Sequence, residues 1–209
     1  MNASDQPPEV QRERLLAGVA NVLAERGYSD LTIERILELS GASRETFAIN
    51  FTSKEAAVEA AMRAASESFF DLLLRACSAQ QEWPLKVKVA VGATLDYAAA
   101  APAQVALLNL NGFKASPGVA SQTTEIKDQL ASLLAGGRRY VKDRAALPVL
   151  TEQAIVGGIL GVISSRLEAG EAARLPDLAP QLVEFALLPY LGREEAARIA
   201  SRPSPRRTA

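Results

Sequence analysis

The chain has 209 residues and a net charge of −1, with 48% hydrophobic and 22% charged side chains, one cysteine (Cys77) and no histidine. That length holds one or two domains with ample core. The single thiol excludes an internal disulfide and a cysteine-cluster metal site, and it suits a reducing cytoplasm. Without histidine there is no imidazole metal site and no Ser-His-Asp or Cys-His catalysis. Aromatics are only 5%, so the core must be built from Leu, Val, Ile and Ala, a composition that favours helices. Acids outnumber bases in the first 54 residues, which does not by itself advertise nucleic-acid binding. It leaves room for a reader that places a few cations at phosphates.

Residues 1–8 are polar and proline-bearing, and they read as a disordered tail with no secretory signal. A helix follows from about Val10 to Arg26, with Leu15, Leu16, Val19, Val22 and Leu23 as its inward stripe, and Gly27 ends it. In 31–40, Ile33, Ile36, Leu37 and Leu39 recur at helical spacing. Thr32 stands where an N-cap belongs and Gly41 where a left-handed C-cap belongs. Ser43 opens a second short helix to about Asn50. Two helices joined by a tight glycine-containing turn make a helix-turn-helix.

The second helix has the chemistry of a DNA reader. Ser43, Arg44, Glu45, Thr46 and Asn50 lie at its start and outer face, while Phe47 and Phe51 share an inward face. Arg, Ser, Thr and Asn hydrogen-bond to base edges in the major groove. Thr52-Ser53-Lys54-Glu55 matches a capping box with Thr52 as N-cap. Lys54 then sits in a first turn, against the helix dipole, and wants an anionic partner such as a phosphate.

The run LAERGYSDLTIERILELSGASRETFAINFTSKEA resembles the N-terminal domain of the tetracycline-repressor-like (TetR) transcriptional regulators. The matching positions are Gly27-Tyr28, Thr32, Ile36, Gly41, Ser43, Thr46-Phe47, Phe51 and Ser53-Lys54-Glu55. Leu37 and Ser40 stand where the family usually has Ala, and Ala48 where it usually has a Tyr that touches the DNA backbone; Asn50 often corresponds to Tyr or His. The resemblance implies a DNA-binding set of Thr32, Ser43, Arg44, Glu45, Thr46, Asn50 and Lys54.

Beyond Thr52 a long helix runs to about Ala79 without Gly or Pro between Lys54 and Gln81. Trp83-Pro84 reads as punctuation, followed by helices over Leu85–Ala100 and in the apolar stretch Ala103–Phe113. Ser116-Pro117-Gly118 reads as a turn, and Thr124 to about Lys142 as a helix that Gly136-Gly137 loosens. Pro148 starts a helix to about Ala169 that is apolar nearly all round, which requires burial on more than one side. A second sticky helix, Leu178–Leu191, follows. Residues 201–209 read as a disordered basic tail.

Taken together, these features predict an all-α chain. Residues 9–55 form a three-helix helix-turn-helix domain, and 56–200 a helical effector-binding and dimerisation domain. Phe69, Cys77 and the helices from Leu85 to Phe113 are expected to enclose an apolar cavity, with ligand contacts at Phe69, Leu95, Asn109 and Phe113. The dimer interface is expected at Ile155, Gly158, Ile159, Gly161, Val162, Leu182 and Phe185, pairing helices into a four-helix bundle. The partners implied are double-stranded DNA, a second copy of the chain and a small lipophilic effector. No cofactor, metal, membrane or catalytic residue is implied. The function implied is a cytoplasmic, ligand-responsive repressor on a two-fold operator. A helical small-molecule-binding or adaptor protein with weakened DNA binding is the alternative.

Overall fold

A computed structural model describes residues 7–108, 117–142 and 147–203. Among them every regular element is helical: α1 (Pro8–Arg26), α2 (Ile33–Ser40), α3 (Arg44–Asn50), α4 (Lys54–Ser78), α5 (Trp83–Ala100), α6 (Pro102–Leu108), α7 (Pro117–Ala135), α8 (Thr151–Glu168), α9 (Ala179–Leu191) and α10 (Arg193–Ala200). Single 3-10 segments follow α7 (Gly136–Tyr140) and precede α9 (Ala172–Leu178). The chain forms two compact units, Met1–Ser68 with Ala101–Ile126, and Phe69–Ala100 with Lys127–Ala209.

In the first unit α1 packs on α2 and α6, burying Leu15, Val19, Val22 and Leu23. The caps expected from sequence form. Thr32 Oγ1 accepts the Arg35 amide at 3.2 Å, and Gly41, at φ 64°, ends α2 by donating its N–H to the Leu37 carbonyl. Ser43 Oγ accepts the Thr46 amide at 3.0 Å to start α3. Phe47 and Phe51 stack in the core with ring centroids 5.6 Å apart. The Arg12 guanidinium lies over the Phe51 ring and ties α3 to α1.

Several boundaries differ from the sequence reading, for identifiable reasons. The cap of α4 is Ser53 and not Thr52: Ser53 Oγ accepts the Ala56 amide at 3.1 Å. Trp83-Pro84 opens α5 and Pro117-Gly118 opens α7. A proline in the first helical turn lacks only an N–H that would have no helical partner, so it starts a helix as readily as it stops one. Helix α8 starts at Thr151, after Pro148 has accepted the Thr151 hydroxyl and amide. The sequence reading missed α10, which follows Gly192 at φ 75° and buries Ala196, Ile199 and Ala200.

In the second unit Lys88 is buried and donates to the carbonyls of Ile199 (2.9 Å), Ala200 (3.2 Å) and Arg202 at the end of α10. A cation at a helix C-terminus meets the free carbonyls there. Desolvation lowers its pKa, and three carbonyl partners offset that cost. No helix among the described residues is long and apolar enough to cross a membrane.

Candidate nucleic-acid interface and ligand cavity

The outer surface of α2 and α3 carries the side chains that the sequence nominates as readers, and the structure shows what each already holds. The Arg44 guanidinium pairs with the Glu34 carboxylate, both side chains well exposed. Its own backbone amide and Arg44 hold the Glu34 carboxyl below the usual range. Ser43 Oγ and Thr46 Oγ1 lie 2.9 Å apart, so these two hydroxyls share a hydrogen bond. Asn50 Nδ2 donates to the Thr46 carbonyl at 2.9 Å. Thr32 is occupied as a cap, and Glu45 is exposed on the outer face. Beside it Ala48 and Ile49 are also exposed, Ile49 to 78%. Sequence reasoning passed over Ile49. The signal was its position two residues past inward-facing Phe47, about 200° around the helix.

Lys54 finds its partners inside the unit. Its ammonium donates to the Leu31 carbonyl at 3.1 Å and lies 5.2 Å from the centroid of the Tyr28 ring. The Tyr28 hydroxyl in turn reaches Glu55 Oε1 at 3.5 Å. Partial burial first, and the Glu55 charge second, raise the phenol's pKa. Gly27-Tyr28 and Lys54-Glu55 thus meet as one joint that fixes the start of α4 to the loop between α1 and α2. The cation set against the helix dipole thus has a carbonyl and a ring as partners within its own chain.

The second unit contains an apolar cavity of about 280 Å³. Phe69, Leu73, Leu74 and Cys77 of α4 form one wall, and Trp83, Lys86, Val87, Ala90, Val91 and Thr94 of α5 another; Leu130, Leu133 and Leu134 of α7 and Val156, Ile159 and Leu160 of α8 complete it. Its few polar groups are largely engaged. The Thr94 hydroxyl donates to the Ala90 carbonyl at 2.8 Å, and the Cys77 thiol, its pKa pushed up by burial, reaches the Lys86 carbonyl at 3.6 Å. Phe69 and Cys77 therefore stand where the sequence reading put them. Leu95 is fully buried and does not line the cavity. Asn109, Asn111 and Phe113 lie outside the described residues.

Trp83 is the fixed wall of this cavity. Its Nε1–H donates to the Leu133 carbonyl at 3.1 Å, and its ring meets Tyr190 edge-on at a centroid distance of 5.0 Å. The Tyr190 hydroxyl donates to Glu152 Oε1 at 3.0 Å, and Arg138 grips the same carboxylate through two 2.8 Å contacts. Burial works to raise the Glu152 carboxyl, but the hydrogen bonds of Arg138, its own backbone and Tyr190 outweigh it and hold it low. A group whose pKa is depressed on folding stabilises the fold above its unfolded value and loses that contribution as pH falls through the folded one. Glu152→Gln is expected to cost about 1–3 kcal/mol at neutral pH and to flatten the loss of stability below the ordinary carboxylate range. Urea unfolding at neutral and acid pH measures both.

Residues 15–61 match the family model described as bacterial regulatory proteins, tetR family. Over that stretch the chain carries the N-terminal DNA-binding domain that the tetR family model describes. No curated protein matches it in sequence. Among solved structures it is similar to the fatty acid degradation regulator FadR from Bacillus halodurans, with a TM-score of 0.73 and 18% identity over 85% of this chain and 94% of that one. FadR from Bacillus subtilis in complex with stearoyl-CoA gives 0.71 and 17%, over 84% and 97%. A TetR-like regulator from Rhodococcus sp. RHA1 gives 0.70 and 20%, over 90% and 99%. At such identities these likenesses speak for the shared fold alone.

The residues expected at a dimer interface are spread over different surroundings. Ile155 and Leu182 are buried within the second unit, and Ile159 lines the cavity. The two buried side chains present no free face to a partner, while Ile159 is half-buried. The place of a Cβ on Gly158 lies 3.2 Å from the Phe185 ring of the same chain, so the space beside this glycine is already filled. Gly161 and Phe185 are exposed, and Val162 is half-buried. Exposed Gly157 and Leu188 join them.

Proposed function

We propose that the chain is a dimeric repressor that binds a two-fold DNA site and releases it when a mainly apolar ligand fills the cavity of the second unit. The cavity carries this reading. It is lined mainly by apolar side chains from four helices, with Lys86 the one charged residue among them, the character of a site for a lipophilic small molecule. The stearoyl-CoA bound by the similar Bacillus subtilis regulator makes long-chain acyl thioesters the first compounds to try. Helix α4 supplies Phe69, Leu73, Leu74 and Cys77 to the cavity wall and begins at Lys54, in the joint with Tyr28 and Leu31. A ligand that shifts α4 acts on the DNA-reading residues through this continuous helix. In the dimer, exposed Phe185 and Leu188 of α9 and the open glycines 157 and 161 of α8 face the partner. Two reading heads then need to sit about 34–36 Å apart to meet successive major grooves.

Thermal denaturation with lipophilic compounds, stearoyl-CoA among them, tests the reading. A ligand at one hundred times its Kd adds about 2.7 kcal/mol of stability, a clear rise in melting temperature. The variant Val91→Phe, which fills part of the cavity, is expected to lose that rise and retain DNA binding. If no lipophile shifts the wild-type protein, the effector reading fails.

A further inference from the structure

We propose that Ile49 is a base-reading residue of α3 that takes a thymine C5-methyl group in the major groove. Single exposed apolar residues are common on protein surfaces, so exposure alone carries nothing; the place of Ile49 on this helix does. Phe47, almost fully buried, marks the inward pole of α3, and Ile49 at 78% exposure stands near the opposite one. Glu45, four residues earlier, shares that outward face. Ala48 beside them is small and exposed, which lets the helix come close to the base edges. The side chains that polarity alone nominates are already engaged. Arg44 is held by Glu34, Asn50 by the Thr46 carbonyl, and the Ser43 and Thr46 hydroxyls by each other.

A helix that enters the major groove with a branched aliphatic side chain at its outer pole meets one apolar group there, the thymine methyl. An adenine–thymine pair with the methyl toward Ile49 buries both; cytosine has only a hydrogen where that methyl stands, and guanine presents polar acceptors to the side chain. Glu45 on the same face accepts from a cytosine amino group and repels phosphate. The half-site is therefore read by an acceptor and an apolar contact more than by arginine.

The full-length protein is used to select duplexes from a random pool, and each thymine of the selected half-site is replaced in turn by deoxyuridine, which removes only the methyl. For the wild type, one position is expected to lose about fourfold in affinity per half-site. Ile49→Ala, with an unchanged melting temperature, is expected to bind the thymine duplex more weakly and to be indifferent to uracil at that position. Ile49→Val retains part of the discrimination. The proposal is overturned if the selected half-sites share no thymine, if uracil is harmless everywhere, or if Ile49→Ala keeps the full uracil penalty. An Ile49→Ala variant with wild-type DNA affinity also overturns it, and moves the exposed side chain to a protein contact.

Discussion

Gly161→Leu is expected to turn the proposed dimer into a monomer while leaving each protomer folded. A Cβ built on Gly161 meets nothing within 4 Å in its own chain, and replacing a helical glycine gains about 1 kcal/mol of helix propensity. Within one chain the change is therefore harmless or stabilising. Set against a partner's α8, the leucine fills the room that a close helix approach needs, and overpacking is costly. Loss of the second head removes the effective-concentration gain of a two-site contact, so affinity for a two-fold duplex is expected to fall by about 10² or more. Light scattering at micromolar concentration measures the mass: twice the 22.2 kDa of the chain for the wild type, and a single chain for the variant. An unchanged mass for the variant moves the interface off this face of α8. Gly158→Leu is a poorer probe, because Phe185 of the same chain already fills the space it would need.

Gly137→Ala is expected to cost about 2–4 kcal/mol of stability. Its Cβ would lie 2.3 Å from Trp83 Cη2, 2.5 Å from Cζ2 and 2.7 Å from Tyr190 Cδ1. Neither ring is free to yield: Trp83 is tied to the Leu133 carbonyl and Tyr190 to Glu152. The 3-10 segment at Gly136–Tyr140 is thus where the backbone passes against the Trp83 indole, and only glycine permits that approach. Because Trp83 also walls the cavity, the same variant is expected to lose its response to lipophiles. Urea unfolding measures the first effect. Gly92→Ala of α5 serves as the control: it adds a methyl group where nothing lies within 4 Å, and its stability is expected to equal or exceed that of the wild type.

The reading head was legible because its signals are local. Thr32, Gly41 and Ser43 each act within four residues of themselves, and each caps as its type predicts. The misplaced cap at Thr52 has the same origin: two cap-forming residues stand side by side, and nothing local chooses between them. Prolines 84 and 117 were read as breaks because a first-turn proline and a helix-ending one look alike until the preceding chain is placed. Lys54 pointed correctly to a partner, but the Leu31 carbonyl and Tyr28 ring lie 23 and 26 positions away in sequence. The largest shift of meaning is in α8. Its all-round apolar surface was assigned to core and partner, yet Val156, Ile159 and Leu160 face a cavity. An apolar cavity and a subunit contact leave the same pattern in a sequence, since both ask only that water be absent. The engagement of Arg44 by Glu34 was equally invisible, for it depends on how α2 is set beside α3 and not on spacing along either.

The central claim is that filling the cavity changes the grip on DNA. The direct measurement is fluorescence anisotropy of a selected operator duplex titrated with full-length protein, with and without a saturating lipophile that raises its melting temperature. Coupling of about 1–3 kcal/mol corresponds to a 5–150-fold change, and the account predicts weaker DNA binding by a factor in that range. A lipophile that stabilises the protein yet leaves the duplex affinity unchanged contradicts it.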